Sequence, residues 1–183
     1  MQMRLIKTFL FLLAISPAVV FAADYKDFFD EGFGDFQEEL ENAVDEGKKG
    51  ILLMFEMDEC PFCHRMKRTV LNQPEAQDFF HEHFKIFTVD VEGDLEIVDF
   101  NGEDTTQKEM SLKQFRVRAT PVFQFVDLEG KPAKRGRYTG ATSGIDEFML
   151  FGKFLVEGVY EEMRFSKYKK AVAAEKKAEA PKG

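Results

Sequence analysis

Gly50-Ile51-Leu52-Leu53-Met54-Phe55-Glu56, followed by Met57-Asp58-Glu59 and then Cys60-Pro61-Phe62-Cys63-His64, is the stretch on which the fold turns. Ile51 to Phe55 is a continuous apolar run between Gly50 and the acidic Glu56 to Glu59, the pattern of a central strand covered on both faces. Beyond the acids the periodicity changes. Pro61 stands where the first turn of a helix tolerates proline, His64 to Leu71 is a basic helical stretch, and Gln73-Pro74 closes it. The segment therefore reads as strand, turn and helix, with a cysteine pair at the junction.

These are the only cysteines in the chain. A pair three residues apart closes a tiny loop, valued at about 2 kcal/mol by the chain-entropy estimate before strain, so it is a poor staple. It is better placed for chemistry. A thiolate is the attacking species in disulfide exchange, and the unsatisfied N–H groups of a helix start lower the pKa of Cys60. Cys63, one turn deeper, is positioned to resolve the mixed disulfide. His64 falls four residues after Cys60 on about the same face, and Arg65, Lys67 and Arg68 add positive charge to that helix. Asp58 and Glu59 oppose them by like-charge repulsion, which leaves the sign of the net shift open. His64 and the basic residues equally suit a solvated helix face.

Other chemistries share this motif. Cys60-x-x-Cys63-His64 is also the attachment sequence of c-type haem, but strand-rich regions and a terminal hairpin suit a small cytochrome badly. A structural zinc wants four ligands, and there is no second cysteine pair, so no metal is expected. A non-catalytic binding module with incidental cysteines is the remaining alternative.

Working outward, Phe33 to Lys48 carries Phe36, Leu40, Ala43 and Val44 at helical spacing and ends at Gly47 and Gly50, predicting an amphipathic helix before the strand. Pro74 to His83 reads as a helix and Phe84 to Val91 as a strand. Gly93 to Thr106 is the least legible part, one short strand or a packed loop ending at Asn101-Gly102. Thr106 to Phe115 returns to a helical pattern. Pro121 to Asp127 and Lys134 to Thr139 flank Leu128-Glu129-Gly130 as an antiparallel hairpin, and Ile145 to Tyr160 is a helix with one strongly apolar face. This order demands an α/β fold, a mixed sheet with helices on both sides.

A length of 183 residues with 44% hydrophobic and 32% charged residues suits one domain, and 21 Phe with no Trp make Phe and Met the packing material. Residues 1–22 hold Arg4 and Lys7, the apolar run Phe9 to Ile15, and a small-residue end at Ala22-Ala23, which reads as a secretory signal cleaved after Ala22. A periplasmic, soluble protein is then expected, in a compartment that oxidises free cysteine pairs. Cleavage would take the net charge from −8 to −10, because Arg4 and Lys7 leave and no acid does. Residues 23–163 form the domain. Residues 164–183 form a Lys/Ala-rich tail with a net charge of +5, against −15 for the domain. An acidic body does not suit nucleic acid, and the tail reads as a solvated, partly frayed helix.

Cys60-Pro61-Phe62-Cys63 after an apolar strand, and Arg118-Ala119-Thr120-Pro121-Val122-Phe123 before a hairpin, resemble the thioredoxin-fold oxidoreductases over about Phe33 to Tyr160. Phe55-Glu56, Phe84 to Asp90, Val98 to Gly102 and Val117 to Phe125 with Asp127 and Gly130 are similar to secreted thioredoxin-related proteins of the SoxW type. The resemblance implies a thiol:disulfide oxidoreductase with Cys60 as nucleophile and Cys63 as resolving cysteine. Pro61, Phe62, Thr120 and a cis Pro121 would contact the substrate chain. No cofactor beyond the redox-active disulfide is implied. Expected partners are protein disulfides and a membrane thiol transporter as electron donor, for a monomer that acts as a reductant; a disulfide donor of the DsbA type is the alternative direction. The chain departs from the family where thioredoxins place a buried Asp behind the cysteines. Met54 stands there, and Glu59 replaces the usual tryptophan. Glu56, on the same side of the strand as Met54, is a candidate proton acceptor in its place, and His64 a candidate for pKa tuning.

Overall fold

The structure, a computed structural model, describes residues 23–179; the expected signal segment and the last four residues lie outside it. Gly50–Glu56 is β1, the central strand, and it is buried on both faces until Glu56. It pairs in parallel with β2 (Phe84–Asp90) and antiparallel with β5 (Val122–Val126), which pairs with β6 (Pro132–Thr139) at the sheet edge. The strand order β2-β1-β5-β6 makes a mixed sheet. Gly50 is required at the entry to β1: its φ is 151°, and a Cβ there would run into the Val126 carbonyl and the Phe125 ring.

Alternation along β1 divides the core into two layers. Leu52 and Met54 face one side together with both cysteines, Phe80, Phe123, Phe148 and Phe151. Ile51, Leu53 and Phe55 face the other, with Phe36, Phe87, Val89 and Phe115. The first layer is covered by α2 (Pro61–Thr69), α3 (Pro74–His83) and α5 (Ile145–Val156). Gly152 of α5 has no side chain to keep it from the rings of Phe79 and Phe80, and Phe80 stacks on Phe148 with ring centroids 4.4 Å apart. The second layer is covered by α1 (Phe36–Asp45), by a small hairpin of β3 (Glu96–Val98) and β4 (Asp104–Thr106), and by one helical turn, α4 (Gln107–Glu109), that continues as a π-helical stretch, Met110–Gln114.

Three sequence expectations are corrected. The first helix starts at Phe36 rather than Phe33, because the Asp35 carboxylate accepts the Gln37 and Glu38 N–H groups as an N-cap; Phe33 is fully exposed, and Val44, expected on the buried face, is 51% exposed. The illegible segment is a two-stranded hairpin rather than one strand or a loop. Its turn is built by buried Asp99, whose carboxylate accepts the Asn101 and Glu103 N–H groups and the Gln114 amide. The final domain helix stops at Val156, and a 3₁₀ turn, Val159–Glu161, follows.

Both termini of the described chain add elements. A 3₁₀ turn, Tyr25–Phe28, places Phe28 fully buried against Phe80 and Phe148. The tail forms α6 (Phe165–Glu179), whose Phe165 packs against Tyr138, Phe151 and Phe154. Among the described residues no helix is long and apolar enough to cross a membrane.

Candidate functional site

The end of β1 delivers the chain to Cys60, which is the N-cap of α2, with extended backbone and a sulfur that accepts the Cys63 N–H at 3.0 Å. Pro61 is the first helical residue. The two cysteines are joined as a disulfide with Cα atoms 5.2 Å apart. Cys60 is 3% and Cys63 1% exposed, whereas Phe62 between them is 57% exposed. The pair thus sits under the surface behind an apolar side chain that faces outward, with the Arg65 guanidinium 5.8 Å above its ring.

Thr120-Pro121 is a cis peptide. Val122 pairs with Phe55, so Pro121 stands just past the ladder, beside the exit of β1 that leads to Cys60. Pro121 is buried and Thr120 half-buried. Thr120 and Met57 line one cleft of about 450 Å³ with Val91, Leu112, Val117 and Ala119. Leu112 is 41% exposed. Sequence reading did not find Met57, Val91, Leu112 and Val117 as site residues. They come from separate segments, and only the fold brings them together; the one sequence signal was Leu112, an apolar residue among Ser111, Lys113 and Gln114.

His64 is exposed, and its Nε2 lies 2.9 Å from the Asp58 carbonyl. The ring therefore ties the acidic turn to α2 and holds the approach to Cys60. Glu56 is not a free strand end. Its carboxylate lies 2.5 Å from the Lys67 ammonium, with both side chains about five-sixths buried at 16% and 17% exposure. Lys67 follows Cys63 by four residues on α2, so the ion pair flanks the inner cysteine, and the Tyr25 ring sits 5.2 Å from Lys67 Nζ. Met54 is fully buried in the cysteine layer. The two buried carboxylates among the described residues, Glu39 and Asp99, belong to α1 and the β3–β4 turn on the other layer. Glu56 is the carboxylate that β1 itself supplies on the side of the cysteines.

Residues 36–150 match the Thioredoxin-like domain family, and the chain belongs to it. With its Cys-x-x-Cys pair at the N-terminus of α2, it is a thiol:disulfide oxidoreductase of thioredoxin fold. Among solved structures it is similar to a thioredoxin-fold protein from Helicobacter pylori (22% identity, TM-score 0.60, covering 82% of this chain and 92% of that one). It is also similar to a putative disulphide-isomerase from Bacteroides thetaiotaomicron (24% identity, TM-score 0.53, 74% and 94%) and to DsbH oxidoreductase (23% identity, TM-score 0.52, 74% and 88%). These likenesses carry the fold. No curated protein matches the chain.

Proposed function

We propose that this protein is a periplasmic protein-disulfide reductase. The observation that carries the reading is Cys60 at the N-cap of α2, where backbone N–H groups and the helix dipole favour its thiolate, next to a cleft on the Thr120 side of the site. In the reduced protein the Cys60 thiolate attacks one sulfur of a partner's disulfide; a mixed disulfide forms and the partner's other sulfur leaves as a thiolate that takes a proton. Cys63 gives up its proton and attacks the Cys60 sulfur. The partner's second thiol is released and the Cys60–Cys63 disulfide remains, so two electrons pass from the pair to the partner. The pair itself is the redox group, and no other cofactor is needed. Glu56 accepts the Cys63 proton.

Reduction is favoured over donation because Phe62 offers no titratable group between the cysteines to stabilise a thiolate beyond what the helix start supplies. Secretion rests on the pattern of residues 1–22, and resupply in an oxidising compartment then needs a membrane thiol transporter. The likeness to SoxW-type proteins suggests a sulfur-carrier protein of thiosulfate oxidation as one substrate, with cytochrome c maturation as another use.

The test is the equilibrium reduction potential of the pair, by thiol trapping across defined dithiothreitol or glutathione ratios, together with partner trapping on Cys63→Ser. A potential near −270 mV and accumulated mixed disulfides on Cys60 are expected of a reductase; a value near −120 mV would make the protein a disulfide donor.

A further inference from the structure

A concentration of positive charge lies away from the cysteines, in a groove of about 760 Å³ between β6 and α6. Lys134, Arg135 and Arg137 of β6, Arg164 just before α6 and Lys169 of α6 line it, with Glu147 of α5 as the single acid. Glu147 is already spent: its carboxylate takes Lys169 at 2.6 Å and the Ser143 N–H and hydroxyl at 2.8 and 2.7 Å. Arg135 is held by the carbonyls of Tyr160 and Glu161, and Arg137 donates to the Phe115 carbonyl. Lys134 and Arg164 are exposed and pair with no carboxylate among the described residues. Five cations have therefore been gathered into one concavity on a chain whose residues 23–163 carry a net charge of −15.

Sheet register connects this groove to the active end of the molecule. Phe55, Val122 and Thr139 are paired across three neighbouring strands, so the Thr139 mouth of the groove is level with the exit of β1 toward Cys60. Lys134 lies further back along β6, within the bulge between Arg137 and Pro132. Arg65, on the cysteine-bearing helix, donates to the Thr142 carbonyl at 2.7 Å, and so ties α2 to the loop that leaves this mouth. β6 is also the edge strand, open to a neighbour.

We propose that the β6–α6 groove docks an acidic peptide segment of the protein whose disulfide is reduced at Cys60. The charge sets the sign of the occupant, and the volume falls in the range of ligand pockets. The concave shape favours a chain over a flat lipid surface, from which the acidic body would be repelled. Rim cations such as Lys134 and Arg164 act mainly on encounter rate and salt dependence. The proposal rests on the reductase reading for what happens at Cys60, but not for the docking itself.

Two disulfide-linked reporter peptides, alike except for a hexaglutamate or a hexaglutamine arm, separate the questions. The pre-reduced protein should reduce the hexaglutamate reporter about tenfold faster at low salt, with the ratio falling toward one at high salt. The exposed double variant Lys134→Glu/Arg164→Glu should keep the hexaglutamine rate and lose the preference. Equal rates in the unaltered protein, or a preference that survives the double variant, would overturn the docking site. Reduction of neither reporter would count against the reductase reading alone, and the groove would then be judged by anisotropy of a labelled hexaglutamate peptide. Saturable binding lost in the double variant supports docking, and absent binding refutes it. Capture by phosphatidylglycerol vesicles without peptide binding would assign the groove to lipid and overturn the proposal.

Discussion

The two faces of β1 are packed equally tightly and do different things. Leu53 and Met54 are neighbours, both fully buried, yet Leu53 points into a layer of hydrocarbon and structural turns, while Met54 points into the layer that holds both cysteines. Burial therefore says nothing about which layer is chemical. Face does, and face is set by a two-residue period in the strand that feeds the Cys-bearing helix.

The largest expected effect breaks this pair directly. Leu53→Ala and Met54→Ala each delete a buried side chain and should each cost about 2–5 kcal/mol in denaturant unfolding. Only Met54→Ala should also alter the reduction potential and exchange rate of the remaining folded protein, because its cavity opens beside Cys60 and Cys63 rather than on the far side of the sheet. Equal redox behaviour in the two variants would show that the layers are not functionally distinct.

The parts of this arrangement that were legible in the sequence are those with local periodicity. The continuous apolar run Ile51–Phe55, Pro61 after Cys60, and the Val122–Val126 and Pro132–Thr139 hairpin each announce their own element. The misses have physical causes. Tyr25–Phe28 is too short to show a period, although Phe28 is among the most buried rings. The β3–β4 hairpin depends on one carboxylate, Asp99, satisfying a turn from within. The cleft of Met57, Val91, Leu112 and Val117, like the β6–α6 groove, is assembled from distant segments and leaves no local pattern. The cysteine pair was readable as a site, but the partner of Glu56 was not, since the Lys67 ammonium reaches it only when α2 folds back over β1.

That ion pair gives the middle-sized prediction, and it sharpens the contrast at the rim of the cysteine layer. If Glu56 takes the Cys63 proton, Glu56→Gln should slow release of the mixed disulfide at neutral pH. The rate should recover as rising pH ionises Cys63 unaided. Lys67→Met removes the partner but keeps the carboxylate, so it should retain the neutral-pH rate that Glu56→Gln loses. A stopped-flow pH profile unchanged by Glu56→Gln would leave the pair a packing contact.

The smallest effect concerns the outer edge of the same layer, where α6 is fastened. Burial pushes the Glu147 carboxyl up, but the Lys169 ammonium together with the Ser143 N–H and hydroxyl outweighs it and brings the group down to about 2. A carboxyl depressed in the folded state stabilises that state above its unfolded value, about 4.3, and the contribution fades as pH falls from there toward 2. Lys169 is 48% exposed, so solvent and salt screen the pair and the effect stays local. Phe165 remains inserted among Tyr138, Phe151 and Phe154. NMR shifts of α6 followed from pH 6 to pH 2 should therefore show the helix loosening beyond Phe165 while the sheet is unmoved, and Lys169→Ala should raise the midpoint toward the ordinary glutamate range. A midpoint unmoved by Lys169→Ala would mean that the apolar anchor alone holds the tail helix to the cysteine-bearing layer.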